Sequence, residues 1–248
     1  MSPLALIVGS LVLLALAYLA RPAPPEGTEL RGAIHVLWWI NRVYTSFWHR
    51  LEIENVPPLP ARGAAILISN HTCGIDHLLL QASTRRLIGF MIAKEFYDSP
   101  IYSPFCKAIG CIPAKRDGRD QTALRLSLRA LRDGRVIGIF PEGRISPTSG
   151  REFLDVKPGA MFIALREGVP VIPAYISGTP ATREIGAALM SRSHARVAFG
   201  AAIDLSDLVE HNGHAEERAR LDQATDRIMG AIRALRDRHL EASNGQSP

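Results

Sequence analysis

Apolar and polar positions change rhythm along this chain. Five short apolar runs have strand length: "AAILIS" (64–69), "LIGFMIA" (87–93), "VIGIF" (136–140), "VPVIPAYIS" (169–177) and "ARVAFG" (195–200). Longer segments with helical spacing lie at 76–84, 101–109, 119–133, 157–167 and 216–241. Strands alternating with helices predict an α/β fold: a mixed, largely parallel sheet flanked by helices. Sites in such sheets gather just beyond the carboxyl ends of strands. Two polar clusters sit at such places, "SNHTCGIDH" (69–77) and "PEGRIS" (141–146).

Ahead of the first strand the pattern differs. Residues 1–20, "MSPLALIVGSLVLLALAYLA", carry no charged side chain, and about 20 apolar residues is the length a helix needs to cross a bilayer core. The expectation is a retained membrane anchor. A signal peptide would want a basic residue ahead of the run, and there is none; a buried hairpin is the other alternative. Arg21, Arg31, Arg42 and Arg50 all follow the run, which places the rest of the chain in the cytoplasm, on the inner membrane. A Pro/Gly-rich hinge, "RPAPPEGTE", comes next. The following helix carries Trp38, Trp39, Phe47 and Trp48 among those arginines. Such a helix suits the headgroup level of a bilayer, and it equally suits packing on a core. The organisation is thus anchor (1–20), hinge and interfacial helix (21–50), main domain (51–241) and disordered tail (242–248).

Composition narrows the partners. The chain of 248 residues is 47% hydrophobic and 21% charged, which suits a packed core and not a disordered chain. Its net charge of +5 favours anionic partners such as headgroups or phosphorylated substrates. Nucleic acid is not expected, because the arginines are scattered instead of interleaved with aromatics on a sheet. Three cysteines form no CxxC pair and no disulfide framework, which suits a reducing compartment.

The first cluster holds His71 and Asp76, five residues apart. On one continuous helix they would point about 140° apart. They can meet only if His71 sits on the turn after the strand and Asp76 opens the next helix, with Gly74 easing the turn. Asp76 would then accept the imidazole N–H and fix its tautomer, and His71 would be a general base. With 8 His and 11 Asp in the chain, chance supplies about 0.35 pairs at this spacing, so spacing alone does not decide. A surface histidine beside a helix-capping aspartate is one alternative. A metal nest with Cys73 and His77 is another, but it follows no standard zinc spacing and has no second His/Cys cluster to complete it.

In the second cluster, Pro141 and Gly143 break the strand and expose backbone. Arg144 offers a planar fork for a phosphate. Glu142 can receive hydroxyl hydrogen bonds or orient an arginine, and Ser146 follows at the strand's carboxyl end. Between the clusters, Lys115 and Arg116 form either a second anion contact or a basic loop. Arg125, Arg129 and Arg132 share one face of the 119–133 helix. That face suits either anionic lipid or plain solvation.

"NHTCGID", "GCIPAKR", "FPEGRIS" and "VPVIPAYISGT" occur in the order and spacing of the glycerolipid acyltransferases, the family of 1-acylglycerol-3-phosphate and lysophospholipid acyltransferases. The resemblance runs from about residue 50 to about 210 and takes in "AKEF" (93–96) and "VKPGA" (156–160). It implies acyl transfer from acyl-CoA or acyl-carrier protein, as co-substrate and not cofactor, to a glycerol hydroxyl. It makes His71 the base and Asp76 its orienting partner. It gives Asn70, Lys94, Arg116, Glu142, Gly143, Arg144 and Ser146 to the acceptor, with no metal and no acyl-enzyme on Cys73. Backbone N–H groups are expected to stabilise the oxyanion. The third motif departs from the family's usual FPEG-Thr-Arg-Ser, since Arg144 directly follows Gly143 and Ile145 takes the arginine's place. Lys115 stands where an acidic residue is frequent. The acceptor is therefore expected to be lysophosphatidic acid, with another lysophospholipid as the alternative; the rival reading from another class is a non-catalytic, anionic-lipid-binding membrane protein.

Overall fold

A computed structural model describes residues 29–115, 120–209 and 214–244. The proposed anchor (1–20), most of the hinge, Arg116 and residues 245–248 of the tail lie outside the described residues. Among the described residues, no helix is long and apolar enough to cross a membrane.

The chain begins with helix α1 (Gly32–Trp48) and a short edge strand, β1 (Glu52–Glu54). The central strand β2 (Ala65–Ser69) leads into α2 (Asp76–Ala82). Then come β3 (Ile88–Ala93), α3 (Lys94–Tyr97), α4 (Ser103–Ile109), β4 (Ile112–Ala114) and α5 (Gln121–Arg132). β5 (Val136–Ile139), α6 (Pro158–Arg166), β6 (Val171–Ser177), α7 (Ile185–Met190), β7 (Arg196–Phe199) and the long α8 (His214–Asn244) complete it. Each run read as a strand is a strand, one or two residues shorter. β1, β4, α3 and α7 went unforeseen, since three to six residues are too few to show a period.

The strands form one seven-stranded sheet in the order β1-β7-β6-β2-β5-β3-β4. All pairs are parallel except β6 with β7. Every residue of β2 and β5 is buried, as continuous apolar runs in a parallel sheet require when helices cover both faces. Alternation along β2 divides the two cores. Ile66 and Ile68 pack with α5, α6 and α8 through Leu131, Met161, Ile163, Ile228 and Ile232. Ala65 and Leu67 pack with α2 and α4 through Leu79, Leu80 and Ile109. Because β2 lies between β5 and β6, the turn after β2 and the turn after β5 are neighbours at one edge of the sheet. The two polar clusters therefore meet.

α1 packs on the main domain as one reading of its sequence expected, and it also keeps an exposed apolar face. One face packs on α2, with His35 and Thr45 buried. On the opposite face Leu37, Ile40, Val43 and Phe47 are exposed, Phe47 by 76%. The helix is thus fastened to the main domain.

Candidate active site

Two residues past β2, His71 sits on a turn that Asp76 closes. Imidazole Nδ1 lies 2.8 Å from Asp76 Oδ2. The same carboxylate accepts the N–H of Thr72 at 2.5 Å, the N–H of Cys73 at 2.9 Å and the Thr72 hydroxyl at 2.7 Å. Thr179 Oγ1 donates to Thr72 Oγ1 at 2.9 Å, extending the chain to the segment after β6. Four donors converge on a fully buried Asp76, so its oxygens act as acceptors and Nδ1 carries the proton. Nε2 is then the unprotonated nitrogen, and it makes no hydrogen bond with the described residues. The ring stacks on Phe140, centroids 4.2 Å apart and 12° from parallel. Gly74 leaves no room for a side chain, since a Cβ there would lie 2.7 Å from Ile185 Cγ1 on α7.

The second turn supports the first. Glu142 Oε1 accepts the His71 N–H at 2.9 Å and Oε2 accepts the Leu154 N–H at 3.1 Å. Burial raises the Glu142 carboxyl above the usual range, while these two N–H groups pull it back. Gly143 has φ +63°, and a Cβ there would meet Lys157 Cε at 2.8 Å. The positive φ favours glycine there.

His71 opens into a cleft of about 1330 Å³ with two characters. Its inner wall is apolar, with Met91, Phe105, Cys106, Ile109, Leu124 and Ile163. Its rim carries Lys115, Arg144, Arg151, Lys157 and Arg183 against Asp120 and Glu184. Arg144 is exposed and has no ion pair among the described residues. Gly143 and Ser146 also line the cleft. Ser146 Oγ is engaged with Thr148 Oγ1 at 3.0 Å.

Three expected acceptor residues stand elsewhere. Asn70 is buried and spends its amide on β6, donating to Ile176 O at 2.9 Å and accepting from Ile176 N–H at 2.8 Å. It ties two strands together and does not line the cleft. Glu142 is buried, does not line the cleft and accepts two backbone N–H groups, one of them from His71. Lys94 lies off the cleft and pairs with Asp98 at 2.5 Å, one helical turn on. Arg116 lies outside the described residues. The N–H groups of His71, Thr72 and Cys73 go to carboxylates and that of Gly143 goes to Phe140 O, so these four are already engaged.

Sequence reading missed Arg151 and Arg183, which sit in loops with no local signal. It passed over Lys157, although "VKPGA" had been singled out. Thr72 and Thr179 were visible only as parts of motifs. Cys73 is fully buried, and burial, with Asp76 beside it, pushes its thiol up to about 12. That rules it out as a ready nucleophile. His77 also faces the cleft, and burial pushes it down to about 4. Among the described residues no cluster of three or more His, Cys, Asp or Glu is arranged to hold a metal ion.

An imidazole held in one tautomer by a buried carboxylate, with its other nitrogen facing a cleft, is chemically able to take a proton from a hydroxyl. Comparison with known proteins gives the family. Residues 50–177, more than half of the chain, match the acyltransferase family model. The chain belongs to this acyltransferase family and is an acyl-transferring enzyme. The 1-acyl-sn-glycerol-3-phosphate acyltransferase of Bacillus subtilis is 23% identical over 198 residues, 79% of this chain and 94% of that protein. That of Streptococcus pneumoniae is 25% identical over 224 residues, 89% of this chain and 77% of that protein. The crystal structure of the 1-acyl-sn-glycerophosphate (LPA) acyltransferase PlsC from Thermotoga maritima shares the fold. Its TM-score is 0.58 at 19% identity, over 84% of this chain and 83% of that one.

Proposed function

We propose that this protein moves a fatty acyl group from a thioester, acyl-CoA or acyl-carrier protein, to the free hydroxyl of 1-acylglycerol-3-phosphate, giving phosphatidic acid. The observation that carries this reading is the His71–Asp76 pair, Nδ1 engaged and Nε2 free, in a cleft that is apolar within and cationic at its rim. Nε2 takes the hydroxyl proton as the oxygen attacks the thioester carbonyl. The tetrahedral intermediate collapses, the C–S bond breaks, and the imidazolium returns the proton to the thiolate. Asp76 stabilises the imidazolium in between. A thiolate leaves readily, so the step needs neither an acyl-enzyme nor a resident metal, and a chelator leaves the rate unchanged. Arg144 and Lys157, which both line the cleft, would hold the acceptor phosphate. The inner wall suits an acyl chain.

One observation favours a second acceptor. Ile145 stands where an arginine is usual and Arg144 is shifted by one residue, which changes the phosphate fork. Lysophosphatidylethanolamine is therefore the alternative acceptor. The bilayer is the proposed partner, since the substrates reside there. The exposed apolar stripe of α1 and the apolar residues 1–20 support a location on the inner membrane with the domain in the cytoplasm.

The test is acyl transfer by wild type and His71→Ala to both acceptors, with labelled acyl-CoA and with acyl-carrier protein. Wild type acylates lysophosphatidic acid, and His71→Ala loses at least roughly 100-fold. Full activity in a folded His71→Ala, or transfer to neither acceptor from either donor, sinks the reading.

A further inference from the structure

The segment after β6 reaches the catalytic turn through two hydroxyls. Gly178 follows β6 with φ +67°, and a Cβ there would collide with His194 O, so the chain can leave the strand this way only at a glycine. Asn70 pins the same junction, pairing with both the N–H and the C=O of Ile176. Thr179 is thereby held against Thr72, and its Oγ1 donates to Thr72 Oγ1 at 2.9 Å. Thr72 is buried, and its hydroxyl donates to Asp76 Oδ1 at 2.7 Å. The other oxygen of that carboxylate meets His71 Nδ1. Thr179 itself does not line the cleft.

The count of protons sets the direction of this chain. A threonine hydroxyl has one proton to give. Asp76 is the acceptor for all its partners, so the Thr72 proton points at the carboxylate. The Thr72 oxygen is then left to accept the Thr179 proton. Each hydrogen bond in such a chain strengthens the next. A carboxylate that accepts more hydrogen bonds has its charge better satisfied, and it pulls less on a neighbouring imidazolium. The two hydroxyls therefore temper the grip of Asp76 on protonated His71 and favour a free Nε2.

We infer that Thr179 is a positioning residue of the reaction: acting only through Thr72, its hydroxyl sets how strongly Asp76 holds the protonated His71. The inference rests on His71 and Asp76 being the pair that moves the proton. Cys73 and His77 also face this pair from its own turn and helix, and Glu142 faces it from the turn after β5. Glu184 and the cationic rim line the same cleft. Exchanging threonine for valine alters none of these charges, so a shift in the pH profile reports the lost hydroxyl.

The experiment follows kcat against pH for the full chain and for Thr179→Val, Thr179→Ser, Thr72→Val and the Thr72→Val, Thr179→Val double variant. The proton on His71 is followed separately, without substrates, by NMR of labelled imidazole, with His71→Ala to assign the signal. Thr72→Val is expected to move the acid limb of kcat and the imidazole titration up by about one pH unit, roughly a tenfold loss of rate on the limb. Thr179→Val moves both by about half a unit, roughly threefold. Thr179→Ser keeps the wild-type profile. The double variant matches Thr72→Val alone, because Thr179 has no other route to Asp76. Thermal melting checks that each variant is folded, and alanine takes the place of valine in any that is not. An unmoved limb and titration in Thr179→Val overturn the inference, and so does a double variant whose shift is the sum of the two. A moved titration with no turnover of either acceptor by folded wild type leaves the hydroxyl chain standing and overturns the functional reading, and with it the part of Thr179 in the reaction.

Discussion

The two edges of the sheet use the same chemistry in opposite ways. At the amino-terminal edge, buried Arg86 donates to Pro60 O at 2.6 Å, Gly63 O at 2.9 Å and Gly134 O at 3.2 Å, and lies 3.6 Å from Glu29 Oε1. Its guanidinium is spent on binding loops together. At the carboxyl-terminal edge, Arg144 is exposed beside the cleft with no ion pair among the described residues. The histidines divide in the same way. His49 is buried with both ring nitrogens engaged, to Tyr44 OH at 2.9 Å and Ser193 Oγ at 2.8 Å, whereas His71 keeps one nitrogen free. A polar group whose partners are all internal serves the fold. One left with open valence at a cleft is available for a ligand.

Substitution separates the two roles. The largest expected effect is at the catalytic edge. Asp76→Asn brings an amide among four donors and lets the imidazole take the wrong tautomer. A loss of roughly 10³–10⁴ in kcat follows, read in a steady-state assay. Next is Arg86→Met, which orphans three carbonyls. About 2–4 kcal/mol of stability is lost in urea unfolding, while turnover per folded molecule stays at the wild-type level. Arg144→Ala does the reverse: KM for the acceptor rises roughly tenfold or more and the melting temperature holds. An Arg144→Ala enzyme with unchanged KM but a lowered melting temperature would collapse the contrast.

Smaller effects sharpen it. His77 takes its proton at about 4 in the folded protein and near 6.5 when unfolded. Between those values the unfolded state binds more protons, so stability falls as pH drops from 6.5 to 4 and levels off below. His49, lowered by burial, acts in the same sense. Urea midpoints at pH 7 and 5 measure the slope, and His77→Leu flattens it. The smallest expected change is with iodoacetamide at neutral pH. All three cysteines are buried, and burial raises each thiol, Cys73 and Cys111 to about 12. Alkylation should be slow and activity kept; rapid inactivation with labelling at Cys73 would restore a role for that thiol.

The sequence by itself determined the layers of the fold, because long apolar runs and amphipathic helices are written in local periods. It also brought out the meeting of His71 with Asp76. Strand, turn and helix are contiguous from Ala65 to Ala82, so His71 and Asp76 are brought together by local chain geometry. Tertiary structure alone decided what surrounds them. Asn70 meets Ile176 from 106 residues away, and Glu142 meets His71 from 71 residues away. Those partners turn two residues expected at the acceptor into internal braces. Arg151, Lys157 and Arg183 reach the rim from loops far along the chain. The hydrogen bonds from α1 to Leu78 O and Thr84 O likewise span 37 and 46 residues. A hydrogen-bonding side chain takes whichever partner the fold brings within about 3 Å, and residue type does not encode that distance.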